Sequence, residues 1–513
     1  MIDGDEHDAR TLAKQLVADA KAEASQIHND VKALASSILT DARAEAERVV
    51  ARAHAEATKL KDDARTLADA LVTHQRANTT GGTAVLVSPN VTGAYESGRV
   101  EDVVGLLVRA VVPGVALGEL VRIDRRDREP LGAEVVGFHG EQALLLPLGE
   151  LAGVAPAAAV WRTGEALAIR CGDDLLGRAV DGLGEPIDGG PALTGERWPV
   201  DRIAPPALER PPITAPLPTG VRAIDTMLTL GRGQRVGLFA GAGVGKSTLL
   251  GQIARGAAAD VIVVCQVGER GRELAELLRD ELAPARAKTI VVCATSDAPP
   301  LVRLRAVHVA TAIAEWFRER RGASVLLLVD SLTRVARAQR EVGLSVGEPP
   351  ARHGYPPSVF ALLPRLIERA GATAAGAITA IYTVLVAGND MDEPIADEVR
   401  GLVDGHIVLD RRLAQRGHFP PIDIVSSVSR LMARVIDPAH AEAAAKTRAR
   451  LAVYEEHRDL IVLGAYQRGR DHGVDDAVAA YPAIEKLVRQ RRDEQAEWDR
   501  GIASLVDLLA GTD

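Results

Sequence analysis

The residues Ala240-Gly241-Ala242-Gly243-Val244-Gly245-Lys246-Ser247-Thr248 stand between an apolar run at 236–239 and a helix-like segment at 249–254. This is a phosphate-binding loop in strand–loop–helix context, and it ties the chain to an α/β fold. Glycines at 241, 243 and 245 let the backbone curl into a nest whose amide hydrogens face one anion, and the following helix adds its positive end. Lys246 is placed to reach the β- and γ-phosphates of a nucleotide, and Ser247 to ligate Mg²⁺. Gly241, Ala242, Gly243, Val244, Gly245, Lys246, Ser247 and Thr248 are therefore the candidate nucleotide-binding positions. The same nine residues alone could also be a glycine-rich turn without a ligand, so the decision rests on the rest of the sequence.

A chain of 513 residues exceeds what one core supports, and two to four domains is the expectation. With 47% hydrophobic residues but 3% aromatics, the cores must be built from Ala, Val and Leu. Apolar runs stay below the roughly 18 residues a membrane span needs, and the charged N-terminus has no secretory h-region. Cys171, Cys265 and Cys293 lack metal-ligand spacing and read as buried thiols in a reducing cytoplasm. A net charge of -9 argues against a protein built mainly to hold nucleic acid, although a local basic channel stays open.

Residues 11–72 contain neither proline nor glycine, and apolar positions recur every eleven residues at Leu16, Ile27, Ile38, Val49, Leu60 and Leu71. Two alanine-rich rows keep the same step. Eleven residues in three turns predicts a nearly straight, faintly right-handed coiled-coil helix, the stalk of a domain over 1–76, whose 11–72 stretch is roughly 90 to 100 Å long at about 1.5 Å per residue. A solvated single helix or a partly disordered arm is the competing reading. A Gly/Thr/Asn-rich linker follows over 77–97. Over 98–200, short β-rich runs at 103–112, 119–123, 133–138, 142–147 and 166–169 predict a small antiparallel barrel with a structural role; nucleic-acid binding is the rival, disfavoured by the scarcity of aromatics. Over 201–436, continuous apolar runs at 236–239, 261–265, 289–293, 325–329 and 378–385 alternate with helical stretches, the pattern of a parallel sheet buried on both faces. Residues 437–513 read as helical, chiefly 441–464 and 483–509, and as a packing and interaction domain without catalytic residues.

Two carboxylates fall where a phosphate loop needs them. The run 326–329 ends in Asp330, placed to hold Mg²⁺ beside Ser247. Glu269 follows another strand at the ligand-binding carboxyl edge of the sheet, where it could deprotonate an attacking water. A carboxylate that merely stabilises a helix N-terminus is the alternative for Glu269, and the preferred reading for Glu273.

Six stretches, 217–225, 241–248, 268–273, 329–334, 354–360 and 404–409, together resemble the flagellar and type III secretion export ATPases, relatives of the catalytic subunit of rotary ATP synthases. The resemblance spans about 98–493. It implies an α/β fold: a RecA-like P-loop core, an N-terminal antiparallel β-barrel and a C-terminal helical domain, here with an extra N-terminal coiled-coil helix. It implies ATP and Mg²⁺ as ligands, Lys246 and Ser247 on phosphate and metal, Asp330 as second metal ligand and Glu269 as catalytic base. Arg430 matches an arginine finger reaching a neighbouring subunit; without the resemblance it reads as a surface ion pair. Phe419 falls where the family usually has a tyrosine against the adenine. The implied machine is a homohexamer at the cytoplasmic face of the membrane, energising protein export. Its implied partners are its own copies, stator or peripheral-stalk and central-stalk proteins, export-gate membrane proteins, and secreted cargo with chaperones. No nucleic acid is expected. A rotary synthase or ion-pump subunit and a Rho-like RNA translocase are the alternatives. The long N-terminal segment departs from the family, which usually begins with a short helix, and suggests a built-in stalk.

Overall fold

The computed structural model describes residues 97–386 and 390–510. The expected stalk and its linker lie outside the described residues.

Six strands, β1 (Gly98–Val104), β2 (Leu107–Val111), β3 (Glu119–Arg125), β4 (Arg128–His139), β5 (Gln142–Pro147) and β6 (Ala159–Ala166), close an antiparallel barrel in the order β1-β2-β5-β4-β3-β6. Alternation fills it: Val121 and Ile123 point inward from β3 while Arg122 and Asp124 face solvent. Valine, alanine, leucine and isoleucine make up the interior, as the low aromatic content requires. The apolar run at 103–112 is two strands. Gly105, at φ 60°, supplies the positive φ of a two-residue hairpin turn that pairs Val104 with Leu107.

The barrel closes at β6, short of the 98–200 stretch its β-rich composition suggests. Beyond it, β7 (Ala168–Cys171) pairs with β9 (Glu196–Pro199), and β8 (Ala179–Asp181) joins the main sheet. That sheet adds β10 (Arg235–Ala240), β11 (Val261–Val267), β12 (Thr289–Ala294), β13 (Ser324–Asp330), β14 (Gly371–Ala372), β15 (Ala377–Leu385), β16 (Gly405–Leu409) and β17 (Ile422–Ser429). Its order is β17-β16-β10-β15-β13-β11-β12-β8, parallel except for β17 and the short β14 on β15. Every residue of β11 and β12 is buried, as expected for a sheet covered on both faces. Barrel and core are joined by a buried ion pair: Arg305, on the helix Pro300–Arg321, donates from Nε to Glu134 of β4 at 2.8 Å and from Nη1 to Asp201 at 2.8 Å.

Three helices, Pro438–Val462, His472–Val488 and Trp498–Ala510, form the C-terminal part. Asp437 and Asp471 cap the first two by accepting from backbone N–H groups of their first turns. The helix expected over 483–509 is interrupted, because Arg489 is extended (φ −75°, ψ 136°) and the chain crosses to the core before Trp498. Residues 489–497 are good helix formers without glycine or proline, so propensity gives no warning. Tertiary hydrogen bonds decide the break. The Gln490 side chain donates to Gly220 O at 2.8 Å and accepts from Arg222 N at 2.8 Å, and Arg222 Nη2 donates to Arg489 O at 2.8 Å.

Candidate active site

The phosphate loop leaves β10 at buried Ala240 and enters the helix Lys246–Gly256. Gly243 and Gly245 have φ values of 75° and 109°, and a Cβ on either would meet nothing within 4 Å. Backbone conformation, not crowding, therefore requires glycine there. Arg411 Nη2 donates to Ala242 O at 3.2 Å and ties the loop to the end of β16.

Parallel pairing places the carboxyl ends of β10, β11, β13 and β15 on one edge. Lys246 reaches across that edge. Its Nζ bonds to Asp330 Oδ1 and lies 3.8 Å from Glu269 Oε1. Asp330, 1% exposed, also accepts from Thr383 Oγ1 at 2.8 Å. Lys246, Asp330 and Glu269, chosen from separate stretches of sequence, are thus brought together.

Glu269 is braced by Arg334, whose Nη2 donates to Oε2 at 3.0 Å and whose Nη1 donates to Gly268 O. Burial holds the Glu269 carboxyl above its ordinary range; a hydrogen bond shared with Glu273 and the Asp330 charge push the same way, against Lys246 and Arg334. A carboxylate raised toward neutrality, beside a phosphate loop, is a competent proton acceptor. Glu273 therefore tunes Glu269, a contact the helix-terminus reading of that residue leaves out.

Beside the loop, a cavity of about 580 Å³ runs from Gly245 and Thr248 to Phe419 and Pro420, and its far wall is the chain from Arg489 to Glu494. Phe419, 49% exposed, has its ring available for stacking. Gln490 N donates to Phe419 O at 2.8 Å and Gln252 Nε2 to Arg491 O at 2.8 Å, linking this wall to the loop that carries Phe419 and to the phosphate-loop helix. The wall belongs to the part of the sequence read as interaction surface alone; an extended segment among helix-forming residues leaves no local signal.

Arg430 stands elsewhere. β17 is antiparallel to β16, so Ser429 pairs with Gly405, and His406 pairs with Gly237 of β10. Arg430 therefore sits by the amino end of β10, level with Arg235, with about 16 Å of strand, five steps at about 3.3 Å each, between its level and the start of the phosphate loop. It is exposed, and its Nη1 donates to Val403 O at 3.2 Å.

Three family models match in succession. The ATP synthase alpha/beta β-barrel domain matches residues 100–164, the nucleotide-binding domain of the same family residues 220–429, and the T3SS EscN ATPase C-terminal domain residues 436–507. The flagellum-specific ATP synthase of Bacillus subtilis is 48% identical over 424 residues, 82% of this chain and 96% of the relative. The type 3 secretion system ATPase of Xanthomonas euvesicatoria is 47% identical over 414 residues, 80% of this chain and 93% of the relative. Assembled EscN from enteropathogenic E. coli superposes with a TM-score of 0.76 at 42% identity, over 80% of this chain and all of that one. EscN in complex with its central stalk EscO gives 0.74 at 42% identity, over the same shares of the two chains. With barrel, nucleotide-binding core and C-terminal domain all matched, the chain belongs to the flagellar and type III secretion ATPases of the ATP synthase alpha/beta family.

Proposed function

We propose that this protein is a Mg²⁺-dependent ATPase that works as a homohexameric ring and powers protein export through a flagellar or type III secretion apparatus. The phosphate loop binds the triphosphate, with Lys246 on the β- and γ-phosphates and Phe419 against the base. Ser247 and Asp330 would hold Mg²⁺, which would supply charge neutralisation on the phosphates. That donor set fits the ion: Asp330 Oδ1 is engaged by Lys246 and Thr383, and its second oxygen and the exposed Ser247 hydroxyl are hard oxygen ligands suited to a metal completed by phosphates and water. Glu269 takes the proton of the water that attacks the γ-phosphate, and Arg334 keeps its carboxylate aimed.

The observation that carries the ring is the separation of Arg430 from its own chain's phosphate loop. A cation at the amino edge of the sheet serves a site at the carboxyl edge only when a second copy presents it, and identical copies can do this around a closed ring. Assembled EscN and its complex with the central stalk EscO support the same reading and suggest a central-stalk partner here. The flagellar and type 3 secretion relatives favour export over a rotary pump or an RNA translocase. Export-gate proteins, cargo with chaperones, and a stator paired with the N-terminal segment complete the proposed partners, at the cytoplasmic face of the membrane. Among the described residues no helix is long and apolar enough to cross one.

Complementation tests the ring. Arg430→Ala and Glu269→Gln are each expected to bind ATP and to turn it over poorly, and mixing the two proteins should restore part of the rate at interfaces that pair one intact Glu269 with one intact Arg430. A mixture no faster than its components would rule out the finger in trans.

A further inference from the structure

One end of β10 runs into the phosphate loop; at the other end stand two polar residues outside the nucleotide site, Gln234 and Arg235. Gln234 is fully buried. Its Oε1 accepts from Gly231 N at 2.8 Å, and its Nε2 donates to Asp404 O and to Ser429 Oγ, both at 3.3 Å. Those two acceptors flank Arg430. Asp404 O also accepts from Arg430 N at 3.1 Å, and Ser429 is the residue before it, its Oγ donating in turn to Thr229 O at 2.8 Å.

Arg235 grips the same place through charge. Its N and Nε donate to Asp404 Oδ2 at 3.0 and 3.1 Å and its Nη2 to Oδ1 at 3.1 Å, a bidentate pair closed by Asp404 N donating to Arg235 O at 2.8 Å. Arg235 Nη1 donates to Glu368. A Cβ on Gly405 would stand 2.6 Å from Val428 O, so β16 and β17 approach here as closely as only glycine allows. The backbone under Arg430 is thus held by two segments, while its guanidinium stays at the surface, donating to Val403 O.

Arg430 follows the last residue of an edge strand, a place where backbone frays unless it is anchored. A cation that stabilises a transferring phosphoryl group acts only if it is held in position beforehand, and a misplacement of about 1 Å can cost about 100-fold in rate. Resting on the finger in trans proposed above, we propose that Gln234, Arg235 and Asp404 are positioning residues for Arg430: they fix the stem of the finger so that its guanidinium meets the phosphates bound by the neighbouring copy. β10 then serves two sites, its carboxyl end carrying the phosphate loop of one and its amino end the clamp on the finger of the next.

The test uses two variants of the full-length protein. Gln234→Met keeps the length of the side chain and removes its amide; Asp404→Asn removes the charge facing Arg235. Each should lower kcat by about 10- to 100-fold and leave KM for ATP within a few-fold of the parent, because each chain's own phosphate loop is intact. Mixing locates the lesion. With an equal amount of Glu269→Gln, whose finger is intact, either variant should recover about a quarter of the parent rate, the share of interfaces pairing an intact site with an intact finger in randomly assembled rings. With Arg430→Ala neither should recover. Recovery with Arg430→Ala instead would put the lesion in the variant's own phosphate loop and overturn the proposal. A parent-level kcat in both variants would also overturn it, since bonds that only knit the sheet edge cost stability and not turnover. Melting temperatures identify a variant that has not folded, and the other then decides. If Glu269→Gln and Arg430→Ala do not restore one another, the finger in trans falls with the clamp.

Discussion

Lys246 Nζ lies 3.8 Å from Glu269 Oε1 while bonded to Asp330, so one cation stands between the carboxylates that end two neighbouring strands. In the mechanism proposed above the two carboxylates have separate tasks, so removing the charge of one should leave binding by the other groups intact. Glu269→Gln is expected to lower kcat by at least about 100-fold, with nucleotide affinity within a few-fold of the parent. Steady-state rates and binding of a fluorescent ATP analogue check this; equal losses in both would make Glu269 a binding group.

Acid inactivation should report the Glu269 carboxyl. A general base works only when deprotonated, and burial with Glu273 alongside raises its pKa above the usual carboxylate value, so kcat/KM should fall as pH drops through that raised value. Glu273→Gln removes one cause of the rise and should move the acid limb to lower pH. Arg334→Ala removes an opposing cation and should move it to higher pH. Limbs that stay in place in both variants would assign the titration to another group.

Gly245 has φ 109°, and a methyl group added there would stand in open space, so alanine is opposed by backbone conformation alone. Gly245→Ala should cost about 1–3 kcal/mol of local strain, relieved by a shift of the loop. The expected result is a rise of about tenfold or more in KM for ATP and a melting temperature within a few degrees of the parent. Unchanged KM would mean that the loop amides do not hold the phosphates.

Glu134 and Arg305 are 5% and 11% exposed and join barrel to core. Glu134→Ala leaves the buried guanidinium with the half-exposed Asp201 as its remaining ionic partner and should destabilise the protein by about 1–3 kcal/mol, while replacing Glu134 and Arg305 together with leucine and methionine should recover most of it. Urea unfolding of the two variants measures the difference; equal losses would point to packing instead of charge.

The phosphate loop and the central strands were legible because their signals are local. Glycine at 243 and 245 answers to the backbone angles of one turn, and the unbroken apolar runs of β11, β12 and β13 answer to burial on both faces of one sheet. The carboxyl-edge positions of Glu269 and Asp330 follow from the same pattern, since parallel strands end on one side. The boundary of the barrel was less legible, because β8 is a three-residue strand whose partner, β12, lies about a hundred residues away in the sequence.

The loop, the sheet and the meeting of Lys246, Glu269 and Asp330 at its carboxyl edge could therefore be read from the residues alone. Folding of the whole chain was needed to bring Arg334 and Glu273 onto Glu269, to set Arg430 at the opposite edge of the sheet from the phosphate loop, and to unwind residues 489–494 into the wall of the cavity beside that loop. The physical reason is the same in each case. These arrangements depend on hydrogen bonds and strand pairings between distant segments, such as Gln490 with Gly220 and Ser429 with Gly405, and no local propensity records them.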